Sequence, residues 1–265
     1  MTAPASVYSA IDLAEGRILL SNDDGVNAPG LKSLAKIAKE LCRDVWICAP
    51  EAEQSGAGHS LTMRRPLRIH KHGPKRFAVD GTPTDATLLG IRQVLNGKPP
   101  ALMLSGVNKG ANLAEDMTYS GTVSAAMEAT LLGIPAVALS LAVRSGQDPN
   151  WACAEVHAPD VIRKLLTVVW PRNILMNVNF PDCPPEAVQG IRITRQGTRK
   201  LGEQLEQRVD MRGESYYWIG PIAELAAPEA DTDVAAIRDH CISITPLNVD
   251  LTDRATMTTL AGVFA

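Results

Sequence analysis

Two adjacent carboxylates, Asp23 and Asp24, stand just past an aliphatic run, Ile18-Leu19-Leu20, and are followed by Gly25. Such a pair repels itself, and burying either member without a partner is costly. A shared cation removes that cost. An isolated Asp-Asp-Gly reads more simply as a turn with one carboxylate in water, but other residues join this pair. Ser55 follows a second apolar run, and Ser105 and Asn108 both follow a third, as the aspartates follow the first. Together they offer carboxylates, hydroxyls and an amide carbonyl. An all-oxygen set suits a hard divalent ion, Mg²⁺, Mn²⁺ or Ca²⁺, and not zinc, which prefers His and Cys. A helical stretch opens at Ser120-Gly121-Thr122, where free backbone N–H groups and a positive dipole end favour an anion. Asn22, Ser105, Gly106 and Asn112 add donors for a phosphate group, while plain N-capping accounts for Ser120 and Thr122 equally well. A hard cation beside an anion cradle is the chemistry of phosphate ester hydrolysis.

To bring these residues together the chain needs a parallel sheet. Ile18 to Leu20 reads as a strand buried on both faces. Past Pro29-Gly30, Leu31, Leu34, Ala38 and Leu41 share one helical face, and Val45 to Cys48 is the next strand. Strand, helix, strand in so short a span is a βαβ unit with parallel strands. Ala101–Leu104, 136–141 and 174–180 read as further strands. The helix from Ser120 to Gly133 has a packing stripe of Val123, Ala126, Met127 and Thr130, and another helix is expected over 159–169. Thr82 and Pro83 cap and open a helix carrying Leu88, Ile91 and Leu95. In an open parallel sheet, ligands bind at the C-terminal strand ends, so Asp23, Asp24, Ser55, Ser105 and Asn108 are expected on one rim. The glycine-bearing loop 51–62 leaves the second strand at that same rim, and His59 within it reads as a solvent-facing or loop-bracing histidine rather than a catalyst.

The expected fold is thus α/β, a Rossmann-like doubly wound and mainly parallel sheet over residues 17–185. Residues 1–16 read as a loose N-terminal extension. After Pro181 the pattern turns β-rich, with strand-like segments at 191–197 and 242–247, a long hairpin turning at Arg212-Gly213, and a loop over 221–233 rich in Ala, Pro and acids. A hairpin cannot bury both faces alone, so the region 186–265 is expected to pack on the core and to form the contact of a homodimer or homotetramer.

The 265 residues are enough for one large α/β domain, and a formal charge of -3 argues against a nucleic-acid polymer as partner. The five cysteines are scattered, with no CxxC pair, and read as buried thiols of a reducing cytoplasm. The first residues lack the pattern of a secretory signal and no apolar run matches a membrane span.

Taken together, NDDG with APG, APEAEQSGAGHSLT, DGTPTDA, LSGVNKGANL and YSGTVSAAMEA resemble the SurE family of stationary-phase survival proteins, with NVNFP, YYWIG and SITPL extending the likeness to about Thr252. The resemblance implies a metal-dependent 5'-nucleotidase that hydrolyses nucleoside 5'-monophosphates, with 3'-mononucleotides and short polyphosphate as further substrates. It implies one divalent ion per subunit, held by Asp23, Asp24, Ser55 and Asn108, and a C-terminal hairpin exchanged between subunits. The N-terminal extension departs from the family pattern. Asp23 is the expected catalytic residue, orienting or deprotonating the attacking water, with direct attack by Asp23 on phosphorus as the chemical alternative.

Two rivals are weaker. Val79-Asp80-Gly81-Thr82 resembles the haloacid dehalogenase-type phosphatase signature, but Ala78 stands where that signature needs a second Asp. Phosphate-receiver modules also carry an acidic pair after the first strand, but they need a phosphate-accepting Asp after the third, where this chain has Ser105-Gly106.

Overall fold

A computed structural model describes residues 7–8, 11–95, 97–144, 146–199, 205–219 and 228–264. In chain order the strands are β1 (Ile18–Ser21), β2 (Val45–Pro50), β3 (Ile69–Gly73), β4 (Arg76–Val79), β5 (Leu102–Lys109), β6 (Ala136–Leu141), β7 (Ile174–Phe180), β8 (Ile191–Ile193), β9 (Leu205–Val209), β10 (Ser215–Ile219) and β11 (Ile242–Asn248). The helices are α1 (Pro29–Leu41), α2 (Pro83–Leu89), α3 (Gly121–Leu131), α4 (Trp151–Leu166), α5 (Asp233–Arg238) and α6 (Arg254–Phe264).

Nine strands form one sheet in the order β3-β4-β2-β1-β5-β6-β7-β11-β8. The stretch from β4 to β7 is parallel throughout. β3 and β11 are antiparallel to their inner neighbours, and β8 runs parallel to β11. Chain order reverses at β1, which pairs with β2 on one side and β5 on the other. That is the switch point of a doubly wound sheet, where a crevice opens. The sheet takes two strands, β8 and β11, from beyond residue 186, while β9 and β10 form a separate hairpin.

Side-chain alternation splits β1 and β5 between two cores. Ile18, Leu20, Leu102 and Leu104 face the layer with α1 and α4. Leu19 and Met103 join the opposite cluster with residues of α2 and α3. All six side chains are fully buried, each worth about 1.5–3 kcal/mol.

Several elements differ from expectation. β5 does not stop at Leu104 but runs to Lys109. Its pairing with β6 slips between Ser105 and Asn108, adding one residue, as a bulge does. Gly106 sits in that bulge at φ +132°, where a Cβ would lie 2.2 Å from the Leu139 carbonyl oxygen. α4 starts at Trp151 and passes through Pro159 instead of beginning there. Proline inside a helix forfeits a hydrogen bond, but Cys153, Ala154, Ala158, Val161, Ile162 and Leu165 bury enough surface along α4 to hold it. The α3 stripe proves too narrow, since Ser124, Ala125, Glu128 and Ala129 are buried as well. Val7 and Tyr8 dock rather than hang free. Tyr8 is buried with its ring edge-on to Trp170, and its hydroxyl donates to the Arg172 carbonyl at 3.0 Å. α5 and α6 were not foreseen, and part of the 221–233 loop, residues 221–227, lies outside the described residues.

Candidate metal and phosphate site

The start of α3 is built around Asp23. This residue follows β1 and is buried, 4% exposed. The Thr122 hydroxyl donates to Asp23 Oδ1 at 2.5 Å. Gly121 permits the approach, for a Cβ there would lie 2.7 Å from Asp23 Cβ and 3.0 Å from Oδ2. Burial pushes the Asp23 carboxyl above its ordinary range, against the pull of the Thr122 hydroxyl and the Thr122 and Gly121 backbone N–H groups. The positive end of α3 is therefore spent largely on Asp23. Its next N–H, from Val123, goes to the Ser120 hydroxyl at 3.1 Å.

Asp24 is pushed up to about 6, first by burial and then by the charge of Asp23, while the Lys109 backbone N–H and charge oppose the rise. Among the described residues, no Lys, Arg or His forms an ion pair with Asp23 or Asp24. The two adjacent carboxylates thus feel the Lys109 charge without an ion pair to neutralise either.

Asn108 reaches the rim through the bulge in β5. Its Nδ2 donates to the Gly110 carbonyl at 2.8 Å, which leaves Oδ1 as the free group. Ser55 sits exposed in the 51–62 loop, and its hydroxyl donates to Glu53 Oε1 at 2.9 Å. Several contacts staple this loop. Gln54 N–H donates to the Asp23 carbonyl at 2.8 Å and Gly58 N–H to the Tyr119 carbonyl at 3.1 Å. His59 Nε2 meets Glu128 Oε2 of α3 at 3.0 Å, the bracing one of the two roles open to it. Thr62 donates to Asp85 through its N–H at 3.0 Å and its hydroxyl at 2.6 Å.

Asp23, Ser55, Asn108, Asn112 and Ser120 line one cavity of about 600 Å³, with Tyr119 and Ile219 on its wall. Asp24 lines an adjoining cavity of about 400 Å³ with Glu53 and Trp151, and Lys109 borders both. The remaining residues expected to bind phosphate line neither. Asn22 turns inward, its Nδ2 donating to the Gly25 carbonyl at 3.0 Å. Ser105 and Gly106 lie inside β5, because the strand continues past them. Gly121 and Thr122 are buried against Asp23.

The chain also builds a support that the sequence reading missed. Asn112 N–H donates to Asn179 Oδ1 and Asn112 Nδ2 to the Ser140 hydroxyl, both at 2.8 Å. Its carbonyl accepts from Asn177 Nδ2 at 2.9 Å and Asn179 Nδ2 at 3.1 Å. The signal was available: asparagines two apart in the apolar run 174–180 share one face of a buried strand. Asp116, on the same cavity, is bound by Arg199, whose Nε donates at 2.8 Å. Val79-Asp80-Gly81-Thr82, by contrast, is structural. Arg65 and Arg68 flank Asp80, and Thr82 forms a capping box with Asp85 at the start of α2.

Among the described residues, no three His, Cys, Asp or Glu side chains gather as a metal cluster. A soft-metal site is not what the donors offer. Two carboxylates with an amide oxygen and a hydroxyl fit a hard divalent ion, and the carboxyls of Asp23 and Asp24, raised despite the hydrogen bonds and the Lys109 charge that oppose the rise, fit a site shaped for positive charge.

Known proteins resemble the chain in sequence and in fold. The family model described as survival protein SurE matches residues 18–203. A 5'-nucleotidase SurE of Paramagnetospirillum magneticum is 56% identical over 94% of this chain and 95% of its own length. One of Rhodospirillum rubrum is 51% identical over 96% of this chain and 98% of its own. The crystal structure of the SurE protein from Aquifex aeolicus superposes with a TM-score of 0.83 at 39% identity, covering 94% of this chain and all of that one. By sequence and by fold, the chain belongs to the SurE family.

Proposed function

We propose that this protein is a divalent-cation-dependent phosphatase that hydrolyses nucleoside 5'-monophosphates to nucleoside and orthophosphate. The observation that carries the proposal is the adjacent pair Asp23, buried, and Asp24, half-buried, at the switch point of the sheet with raised carboxyls. The relatives named 5'-nucleotidase SurE support the substrate class. We assign one Mg²⁺, Mn²⁺ or Ca²⁺ per chain to Asp23, Asp24, Ser55 and Asn108. When bound, such an ion neutralises phosphate charge and lowers the pKa of water toward neutrality.

The protein's own groups account for the other roles. Thr122 fixes Asp23 through Oδ1, so Oδ2 remains to orient the attacking water and take its proton. The Ser120 hydroxyl oxygen accepts from Val123 N–H, so its own hydrogen is left to donate to a phosphate oxygen. Asn112, held by Asn177, Asn179 and Ser140, is the rigid wall against which that phosphate rests. Tyr119 and Ile219 offer apolar surface to the nucleoside.

The hairpin β9–β10 supports a homodimer or homotetramer. Its strands are exposed throughout, including Leu205, Val209, Tyr217, Trp218 and Ile219. The five cysteines are free and buried, which supports a reducing, cytoplasmic setting. No helix among the described residues is long and apolar enough to cross a membrane.

A panel of 5'- and 3'-nucleoside monophosphates and polyphosphate, crossed with Mg²⁺, Mn²⁺ and Ca²⁺, tests the proposal. The expected result is phosphate release from 5'-monophosphates that stops on chelation. Absence of release under every cation overturns it.

A further inference from the structure

A third cavity, of about 650 Å³, adjoins the one that holds Asp23. Gly110 and Ala111 line both and form their common wall. Arg144, Arg199, Arg238 and His240 line it against a single carboxylate, Asp182. In a chain whose formal charge is -3, that convergence of basic groups is local. Its apolar lining includes Leu113, Val143 and Ile237.

The three arginines are not equivalent. Arg199 is committed to Asp116, and its side chain is only 16% exposed. Among the described residues Arg144 and Arg238 are paired only loosely. Their nearest carboxylates are 3.7 Å away, from Arg144 Nε to Asp182 Oδ2, and 3.6 Å away, from Arg238 Nε to Asp239 Oδ1. Both distances exceed a hydrogen bond between charged groups. Among the described residues neither guanidinium donates a hydrogen bond of ordinary length. A guanidinium carries its donors in a planar fork that matches a phosphate oxyanion. The volume exceeds what orthophosphate fills, and the apolar lining leaves room for an organic group.

We propose that this cavity is a second phosphate-oxyanion site, held by Arg144 and Arg238 and distinct from the cation-bearing rim. Its ligand is either orthophosphate or the phosphate of a nucleotide. The site is wired to the first. Gly110 accepts from Asn108 Nδ2 at 2.8 Å, and its N–H donates to the Leu141 carbonyl at 2.9 Å. An anion resting on Gly110 therefore bears on the side chain that we assign to the cation. The existence of the site does not depend on the phosphatase reading, and neither does its test.

The test is calorimetric titration of the full-length protein in chelator, where no turnover occurs, with orthophosphate and separately with adenosine 5'-monophosphate. The wild type is expected to bind saturably without any divalent ion. Arg144→Gln with Arg238→Gln is expected to weaken that binding at least about tenfold, the size of one lost charge-assisted hydrogen bond, with the melting temperature unchanged. Arg163→Gln with Lys164→Gln, an equal loss of charge on the exposed side of α4, is expected to leave it intact. Tighter binding of the nucleotide than of orthophosphate assigns the apolar lining to a nucleoside, and equal affinity assigns the site to phosphate alone; both sustain the proposal. Absence of saturable binding in chelator, or equal affinity in the double variant and the wild type, overturns it.

Discussion

Asp44 lies just ahead of β2 at one end of the central sheet, and Asp23 and Asp24 lie just past β1 at the other. Around Asp44 the protein supplies its own counter-charge. Lys75 Nζ and Trp46 Nε1 donate to its Oδ1 at 2.6 and 2.7 Å, and Arg17 Nε approaches Oδ2 at 3.2 Å. Both cations also lie over the Trp46 ring, Arg17 at 5.3 Å and Lys75 at 5.8 Å from its centre. Burial raises the Asp44 carboxyl, but these hydrogen bonds and charges outweigh it and hold it below the usual carboxylate value. At the opposite end the carboxyls of Asp23 and Asp24 are raised, and the described chain offers them no ion pair. One end is a finished ion-pair cluster that serves the fold. The other is left electrostatically incomplete, as a site is when its cation comes from outside.

Substitutions separate the two ends. Asp23→Asn or Asp24→Asn is expected to lower nucleotide hydrolysis by on the order of 10³-fold, by removing a ligand from the charge-stabilising centre. The melting temperature of the cation-free protein is expected to hold or rise, because a buried repulsion is relieved. Steady-state kinetics beside thermal melts check this, and a fall in activity that merely tracks unfolding breaks the comparison.

A saturating cation gives the next largest effect. At 100 times its dissociation constant, Mn²⁺ is expected to stabilise the fold by about 2.7 kcal/mol. Thermal melts with and without the ion are expected to show this rise in the wild type and in Asp44→Asn, and to lose it in Asp24→Asn.

Thr122→Val sharpens the picture from within. It removes the hydroxyl that pins Asp23 Oδ1 and keeps the side chain's shape. An outer partner of this kind is worth about 10–100-fold in cation affinity or activity. Thr122→Ser is expected to restore most of it, since a hydroxyl rather than a methyl does the holding. Cation titration of both variants tests the difference.

Asp44→Asn is the smallest effect. Activity stays, and stability falls by about 0.2–1 kcal/mol, as for a partly exposed pair. Because the folded carboxyl is lowered, its contribution is present above the unfolded value near about 3.9 and is lost as pH falls through the folded one. Denaturant melts are expected to separate variant from wild type at neutral pH and to converge in acid.

Much of the rim was legible because strand ends announce themselves. Aliphatic runs stop at polar residues and glycines, and the runs at 136–141 and 174–180 match β6 and β7 to the residue. Asp23, Ser55 and Asn108 do line one cavity. Where the reading fell short, a tertiary contact decided the outcome. β5 continues past Ser105 through a bulge that breaks the alternation on which a strand is read. Pro159 looks like a helix start, but packing on both its flanks carries α4 through it. The role of Thr122 emerges only where α3 meets β1, two elements remote in sequence. α6 combines β-branched threonines with Gly262, a weak helix signature.

The central claim is that the Asp23–Asp24 rim, and not the Asp44 cluster, is completed by a divalent cation. Titrating Mn²⁺ into wild type, Asp24→Asn and Asp44→Asn by calorimetry measures it directly. The account predicts one ion per chain in the wild type and in Asp44→Asn, and binding at least about tenfold weaker in Asp24→Asn. Equal affinity in Asp24→Asn and the wild type, or loss of binding in Asp44→Asn alone, contradicts it.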